Sequence, residues 1–428
     1  MHLADTKTNI DIGAASTRRS IETMDADDAS DCSYGSMEAT QSEVEENVRR
    51  LNDNTNLSPR EMKMVQYVKD LYASGARLWT KEMFRNIEAD LAQEPYPEEV
   101  MIRSMNGVEA SVIVPTGVNS QRTKDHPAYF TKGYIDGPWY PAVNFNTYQD
   151  LLDHTKNRYT GYWDEKESEK DEPLAEKDQV AITRALSLYE TRQSYRPRDI
   201  VEYSSLKAIW DENWGNWTKS KVCKELADTI AGIPNVASTI DKVVCFGLGA
   251  FSDSGDGEGK KDGESDGTPV RRTMTQHAAA LTMATEFGKR VGKGPLKVYT
   301  QDPAYTDSEK QVLRDHGIEV VGGSGALGFT YVDSDALVFS IAPNIPVRQI
   351  VADIARPAAM VWCTVEPEGV ASPKWEVENF GGKWYSVAPW STDPDSPRTR
   401  ELVDSYAVYK FPRDERRFGD PTIYVRSD

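Results

Sequence analysis

The chain has 428 residues, of which 39% are hydrophobic and 28% charged, and its formal net charge is −18. That length suits two or three domains, and the low apolar share points to polar segments attached to an ordinary core. An acidic chain lacks the positive footprint that phosphate backbones require, and no apolar run approaches the roughly 20 residues that span a bilayer, so neither nucleic acid nor membrane is expected as a partner.

Cys32, Cys223, Cys245 and Cys363 are scattered, with no CxxC pair. That argues against a disulfide framework or a structural zinc, and for a reducing compartment, cytoplasm or nucleus. The N-terminus has no apolar core flanked by positive charge, so no secretory signal is expected. Residues 1–57 are polar and acidic, with clusters such as Asp25-Ala26-Asp27-Asp28. So few apolar side chains cannot offset ordering entropy, and the stretch reads as a disordered tail able to offer a protein-binding motif.

Residues 58–235 read as a helical, aromatic and loop-rich region packing on a later core. Ser58-Pro59-Arg60-Glu61 predicts a capped helix start, with Gly75 as its stop. A second helix is expected from Thr80, where Trp79 and Phe84 can close a hydrophobic staple. Val112-Ile113-Val114 reads as a strand, and the aromatic run Gly137-Pro138-Trp139-Tyr140-Pro141 as a packed loop layer or a partner surface. A helix is expected over Val180 to about Tyr189. Trp210, Trp214 and Trp217 read as buried, leading into a helix capped at Thr218.

From residue 236 to 371 the pattern becomes alternating strand and helix. Lys242 to Phe246 is the first strand, ending in Gly247-Leu248-Gly249. The glycines suit the tight first turn of a nucleotide-binding domain. Residues 252–269, nearly all Gly, Asp, Ser, Glu and Lys, read as a flexible insertion, since neither a calcium loop nor a phosphate loop has this spacing. Further strands are expected at Leu296 to Thr300, Ile318 to Val321, Ala336 to Ala342 and Ala358 to Cys363. Helices are expected between them, one opened by the Thr306–Glu309 capping box. The fold class is therefore α/β, a Rossmann-like and mostly parallel sheet with helices on both faces. Residues 372–428 form a C-terminal extension, with an added edge strand near Ser405 to Phe411.

Val243 to Ser252, Gln276, and the run from Tyr299 to Thr306 with Glu309 come in one order with a fourth apolar strand ending in proline. Together they resemble the SRR1-like domain ("sensitivity to red light reduced") over about residues 240 to 362. A weaker similarity to fungal members lies in Leu71 to Gly75. The resemblance implies a Rossmann-like core and regulatory roles around light signalling, circadian timing and growth, without an established catalytic activity. Many members carry Met-Pro-His after the fourth strand, where this chain has Ala342-Pro343-Asn344. A mechanism resting on that histidine is not expected here, because Asn cannot titrate.

Ligands of open α/β sheets sit beyond the carboxyl ends of the strands. The candidate ligand residues are Gly247, Gly249, Ser252, Gln276, Asp302 and Asn344. Asp302 is placed either to accept from a ribose diol or only to build the Asp-Pro turn. Ser252 stands where GxGxxG would have its third glycine, which favours S-adenosylmethionine or a lone nucleotide over a dinucleotide. His277 and His316 read as surface or capping residues. No metal or haem motif, serine elbow or HExxH helix is present. A non-catalytic regulatory protein is the reading these features favour. A methyltransferase-like enzyme and a ligand-free interaction scaffold are the alternatives.

Overall fold

The computed structural model describes residues 40–52, 57–115, 135–155, 173–195, 201–251, 271–369, 374–380, 382–388 and 390–426. Order begins earlier than the acidic composition implies. Gln41–Asn52 forms helix α1, because Val44, Val48 and Leu51 recur at helical spacing and bury against a hairpin near the C-terminus. Residues 1–39 of the expected tail lie outside the described residues.

Helix α2 (Pro59–Ala73) has the expected capping box. Ser58 Oγ accepts from the Glu61 N–H at 3.2 Å, and the Glu61 carboxylate accepts from the Ser58 N–H at 2.6 Å. Helix α3 (Lys81–Leu91) is capped by Thr80, and Trp79 and Phe84 are both fully buried at its start. Strands β1 (Glu99–Arg103) and β2 (Glu109–Ile113) form a hairpin. Strand β3 (Ile135–Phe145) precedes helices α4 (Tyr148–His154) and α5 (Glu176–Thr183), and then pairs with β4 (Leu186–Tyr195). The expected helix over 180–189 is thus corrected. Ile182, Ala185 and Tyr189 carry a helical spacing, but pairing with β3 draws the chain beyond Thr183 into a strand. Helix α6 (Tyr203–Lys219) holds all three tryptophans, and Trp210 and Trp217 are buried. The cap of α7 (Lys221–Ala231) is Ser220 and not Thr218, because α6 continues through that position.

Strands β5 (Lys242–Phe246), β6 (Lys297–Gln301), β7 (Ile318–Val320), β8 (Ala336–Ser340) and β9 (Ala359–Cys363) make the parallel core of a seven-stranded sheet. Helices α8 (Arg272–Arg290), α9 (Asp307–Asp315) and α10 (Val347–Ile354) connect them. The side-chain alternation of β5 shows why both faces must be covered. Val243 and Cys245 join a core with α6, α7 and α8, whereas Val244 and Phe246 face α2, α3 and α10. The fold class is α/β.

The C-terminal segment is more than an extension. After the hairpin β10 (Glu376–Phe380) and β11 (Lys383–Val387) and helix α11 (Pro397–Asp404) comes β12 (Tyr406–Lys410), the edge strand the sequence suggested. The short helix α12 (Glu415–Phe418) leads into an unforeseen strand, β13 (Pro421–Arg426), which inserts antiparallel between β9 and β12. The sheet order is β12-β13-β9-β8-β5-β6-β7. The α/β unit therefore extends to residue 426 and does not end at 371.

Two helical glycines should respond oppositely to one added methyl. A Cβ on Gly288 would lie 2.2 Å from the Gly294 carbonyl oxygen, whereas one on Gly215 would meet nothing within 4 Å. Gly288→Ala should cost about 1–3 kcal/mol through overpacking against backbone. Gly215→Ala should gain up to about 1 kcal/mol from helix propensity. Chemical denaturation checks both, and equal signs would contradict this packing.

Candidate functional site at the strand ends

The order places β5 and β8 side by side while the chain between them winds outward through β6 and β7. That junction is a topological switch point, the position beyond the carboxyl strand ends at which open α/β sheets form their ligand crevice. Gly247 (φ 61°) and Gly249 (φ 82°) form the turn leaving β5. Each also packs too closely for a side chain. A Cβ on Gly247 would come within 2.8 Å of Pro343 Cβ, and one on Gly249 within 2.8 Å of Thr273 Cγ2. Their bare faces therefore meet protein, Pro343 after β8 and Thr273 at the start of α8.

Carboxylates from the neighbouring strand hold this turn. Asp302 Oδ2 accepts from the Gly249 N–H at 2.8 Å, and its Oδ1 accepts from the Ala304 N–H at 2.9 Å. The Asp302 carboxyl is pushed above the usual range by burial, and these two N–H bonds pull it back. Glu309 bonds the Phe251 N–H with one oxygen and caps α9 with the other, accepting from the Thr306 N–H at 2.6 Å. Both readings of Asp302 thus remain chemically compatible, since an oxygen already accepting one N–H keeps a second lone pair.

Among the described residues, the only non-glycine residues with positive φ are Arg271 (φ 40°) and Ala342 (φ 46°). One precedes α8 and the other follows β8, so both lie in connections at the carboxyl ends of the strands. Such strain persists only where surrounding structure enforces it, and it gathers at functional sites. The backbone N–H of Ala342 favours the thiolate of Cys363 at the end of β9. Burial pushes the Cys363 thiol up, and Arg348 and then Arg272 act against it. Asp302, Gly249 and Thr273 thus adjoin one another on one side of the turn, and Gly247 and Pro343 on the other. On its β8–β9 side a C-terminal strap is tied to Pro343 and Arg348. Thr392 Oγ1 donates to the Pro343 carbonyl at 2.5 Å, and buried Arg348 pairs with Asp393 (3.1 Å) and Asp395 (2.6 Å).

The other expected site residues divide. Asn344 is exposed just beyond Pro343. Ser252 lies outside the described residues. Gln276 is not brought to the crevice: it is buried and donates through Nε2 to the Arg417 carbonyl at 2.7 Å. Arg271, Arg272, Thr273 and the strap were missed. A basic pair opening a helix was visible in the sequence, whereas a left-handed Ala342 has no sequence signal. Two cavities open elsewhere. One, of about 340 Å³, lies between α3 and the β1–β2 hairpin, and another, of about 370 Å³, lies at the amino ends beside Lys242 and Lys297. Neither contains the strained residues. Among the described residues no helix is long and apolar enough to cross a membrane, and no three His, Cys, Asp or Glu residues are gathered to hold a metal.

His277 is a core residue and not a surface one, as the apolar helix face carrying it is wholly covered. Its Nδ1 lies 2.7 Å from the Thr273 carbonyl, which can only accept, so Nδ1 carries the proton. Nε2 then accepts from the Tyr305 hydroxyl at 2.6 Å, and Thr300 Oγ1 donates to the Tyr305 oxygen at 2.8 Å. His316, the C-cap of α9, is half-buried against Trp210, with ring centroids 5.2 Å apart.

Burial lowers the His277 pKa to about 4. The folded protein keeps this ring neutral where the unfolded chain, near 6.5, already binds a proton. Its stability contribution is therefore full above about pH 6.5 and is lost as pH falls toward about 4, by roughly 3 kcal/mol. Denaturation curves at pH 7 and pH 4 should show a smaller acid loss in His277→Gln than in the wild type. Identical losses would mean the ring is not held neutral.

Residues 222–366 match the family model of the SRR1 domain. No curated protein and no solved structure gives a match. The matched segment runs from α7 to just past β9, so it contains the switch point, both glycines, Asp302 and the strained Ala342. About a third of the chain, with the strand-end crevice at its centre, is an SRR1-like domain.

Proposed function

We propose that this is a regulatory protein whose SRR1-like domain binds a nucleoside-bearing small molecule at the carboxyl ends of β5 and β6. Membership of the SRR1 domain family suggests the regulatory role. The observation that carries the ligand reading is the convergence of Gly247, Gly249, Arg271 and Ala342, all left-handed, at the switch point, with an acid ending the second core strand. In open α/β sheets that acid is the residue that meets a ribose, and the preceding turn meets the phosphate or its equivalent.

The strand order favours a second reading. Counted in chain order within the sheet, the strands run 3-2-1-4-5-7-6, with the seventh antiparallel to its neighbours. An open sheet of this order has one switch point, between β5 and β8, which can take the nucleoside of S-adenosylmethionine as well as that of a nucleotide. This concerns the fold, and fold alone does not carry function. Under this reading the nucleoside is that of S-adenosylmethionine, and the protein transfers its methyl group.

Calorimetric titration with ATP, GTP, NAD and S-adenosylmethionine tests both readings. The best binder should lose about 1.5–3 kcal/mol of affinity in Asp302→Asn, since the amide mispairs with one ribose hydroxyl. The same variant sets an amide N–H against either Gly249 or Ala304, so its melting temperature must be followed in parallel. Wild-type affinity retained in folded Asp302→Asn would remove the ribose role. Methyl transfer to an acceptor, lost in that variant, would replace the regulatory reading with the enzymatic one.

A further inference from the structure

Helix α8 opens in an electrostatically unfavourable way. Its first turn contains no acid, and its first residue is Arg272, which puts a positive charge at the positive end of the helix. By contrast, α9 has Asp307 and Glu309 in its first turn. The first backbone bond of α8 runs from the Thr275 N–H to the Arg271 carbonyl, so the N–H groups of Arg272, Thr273 and Met274 precede the ladder. Among the described residues, the Arg271 side chain does not cap this helix.

The neighbouring cations are committed. Arg271 binds the Ile209 carbonyl and Glu212, and Arg348 is held by Asp393 and Asp395. Arg272 is exposed and has no hydrogen bond or ion pair among the described residues. The nearest acids on the turn are occupied, Asp302 by two N–H groups and Glu309 by Phe251 and Thr306. A second feature is independent of the helix end. Thr273 is only 6% exposed, its methyl lies against Gly249, and its Oγ1 has no hydrogen-bond partner among the described residues. A buried hydroxyl without a partner costs stability, and an incoming acceptor removes that cost.

We propose that Arg272, the Thr273 hydroxyl and the free N–H groups opening α8 form an anion subsite of the strand-end crevice. It takes the phosphate or the carboxylate of the ligand whose nucleoside lies toward Asp302. The nucleoside part rests on the function proposed above, whereas the anion part rests on this corner alone. Guanidinium and helix N–H groups only donate and the hydroxyl can donate with them, so the site is complementary to an oxyanion.

The test is calorimetry on the full chain with adenosine, AMP, ATP, 5′-methylthioadenosine, S-adenosylhomocysteine and inorganic pyrophosphate. AMP and ATP against adenosine isolate the phosphate, and S-adenosylhomocysteine against methylthioadenosine isolates the carboxylate. At least one charged member should bind about tenfold or more tightly than its uncharged partner, the scale of a hydrogen bond to a charged group. Arg272→Gln should remove that advantage and leave the uncharged compound unchanged. Thr273→Val should weaken the charged compound several-fold while keeping or raising the melting temperature, because it deletes an unpartnered hydroxyl. Equal affinities within both pairs, or an advantage that survives in Arg272→Gln, would overturn the proposal. Pyrophosphate binding that depends on Arg272, with no nucleoside binding, would support the anion subsite and overturn the nucleoside reading. Binding of none of the six would overturn both.

Discussion

The turn leaving β5 is the constraint around which the domain is arranged. The chain leaves the central strand of the parallel core at Phe246, and Pro343 and Thr273 press on the turn that follows from either side. Two left-handed glycines supply the path, but backbone permissiveness does not choose a conformation. The choice is made by Asp302 and Glu309, whose carboxylates accept from the Gly249 and Phe251 N–H groups. Glu309 also caps α9, so the end of β5 and the start of α9 share one side chain. The crevice is therefore shaped by polar bonds between the ends of the first two core strands, and the glycines let those bonds form.

The same device attaches the flanking regions to the core. Glu88 of α3 reaches into the glycine-rich loop after β7 and accepts from the Ser324, Ala326 and Leu327 N–H groups at 2.6–2.9 Å. Asp353 of α10 accepts from the Leu78 and Trp79 N–H groups and pairs with Arg398 at 2.6 Å. The Arg398 guanidinium lies 3.8 Å from the Tyr72 ring centroid, so one cluster ties α2, the core and α11 together. Burial raises the pKa of Glu88 and of Asp353, and N–H bonds, with Arg398 for Asp353, oppose that rise. Such groups add little net stability, but breaking one leaves an unpaired buried charge, so they enforce a single docking geometry. These contacts tie the SRR1-like segment to the regions on either side of it.

Much of the core was legible from residue pattern. The apolar run Val243 to Phe246 stops at Gly247, and Thr306 with Glu309 starts α9, because strand burial and helix capping are local in sequence. The 180–189 segment misled because two periodicities overlap in it, and only pairing with β3 decides between them. His277 misled because a histidine on a helix reads as polar until both of its ring nitrogens are seen to be satisfied inside the core.

By itself the sequence determined the α/β class, the order of the parallel strands along the chain, the capped helix starts and the glycine turn. Each of these depends on a few adjacent residues and on the separation of apolar from polar positions. Tertiary structure alone decided that β13 inserts antiparallel beside β9, that Ala342 is left-handed, and that Gln276 faces Arg417 and not the crevice. It also decided that, among the described residues, Arg272 has no pairing partner and the buried Thr273 hydroxyl beside it has no hydrogen bond. These outcomes depend on which distant segments meet. Whether a donor has a partner is a property of the space around it, and residue order does not encode that locally.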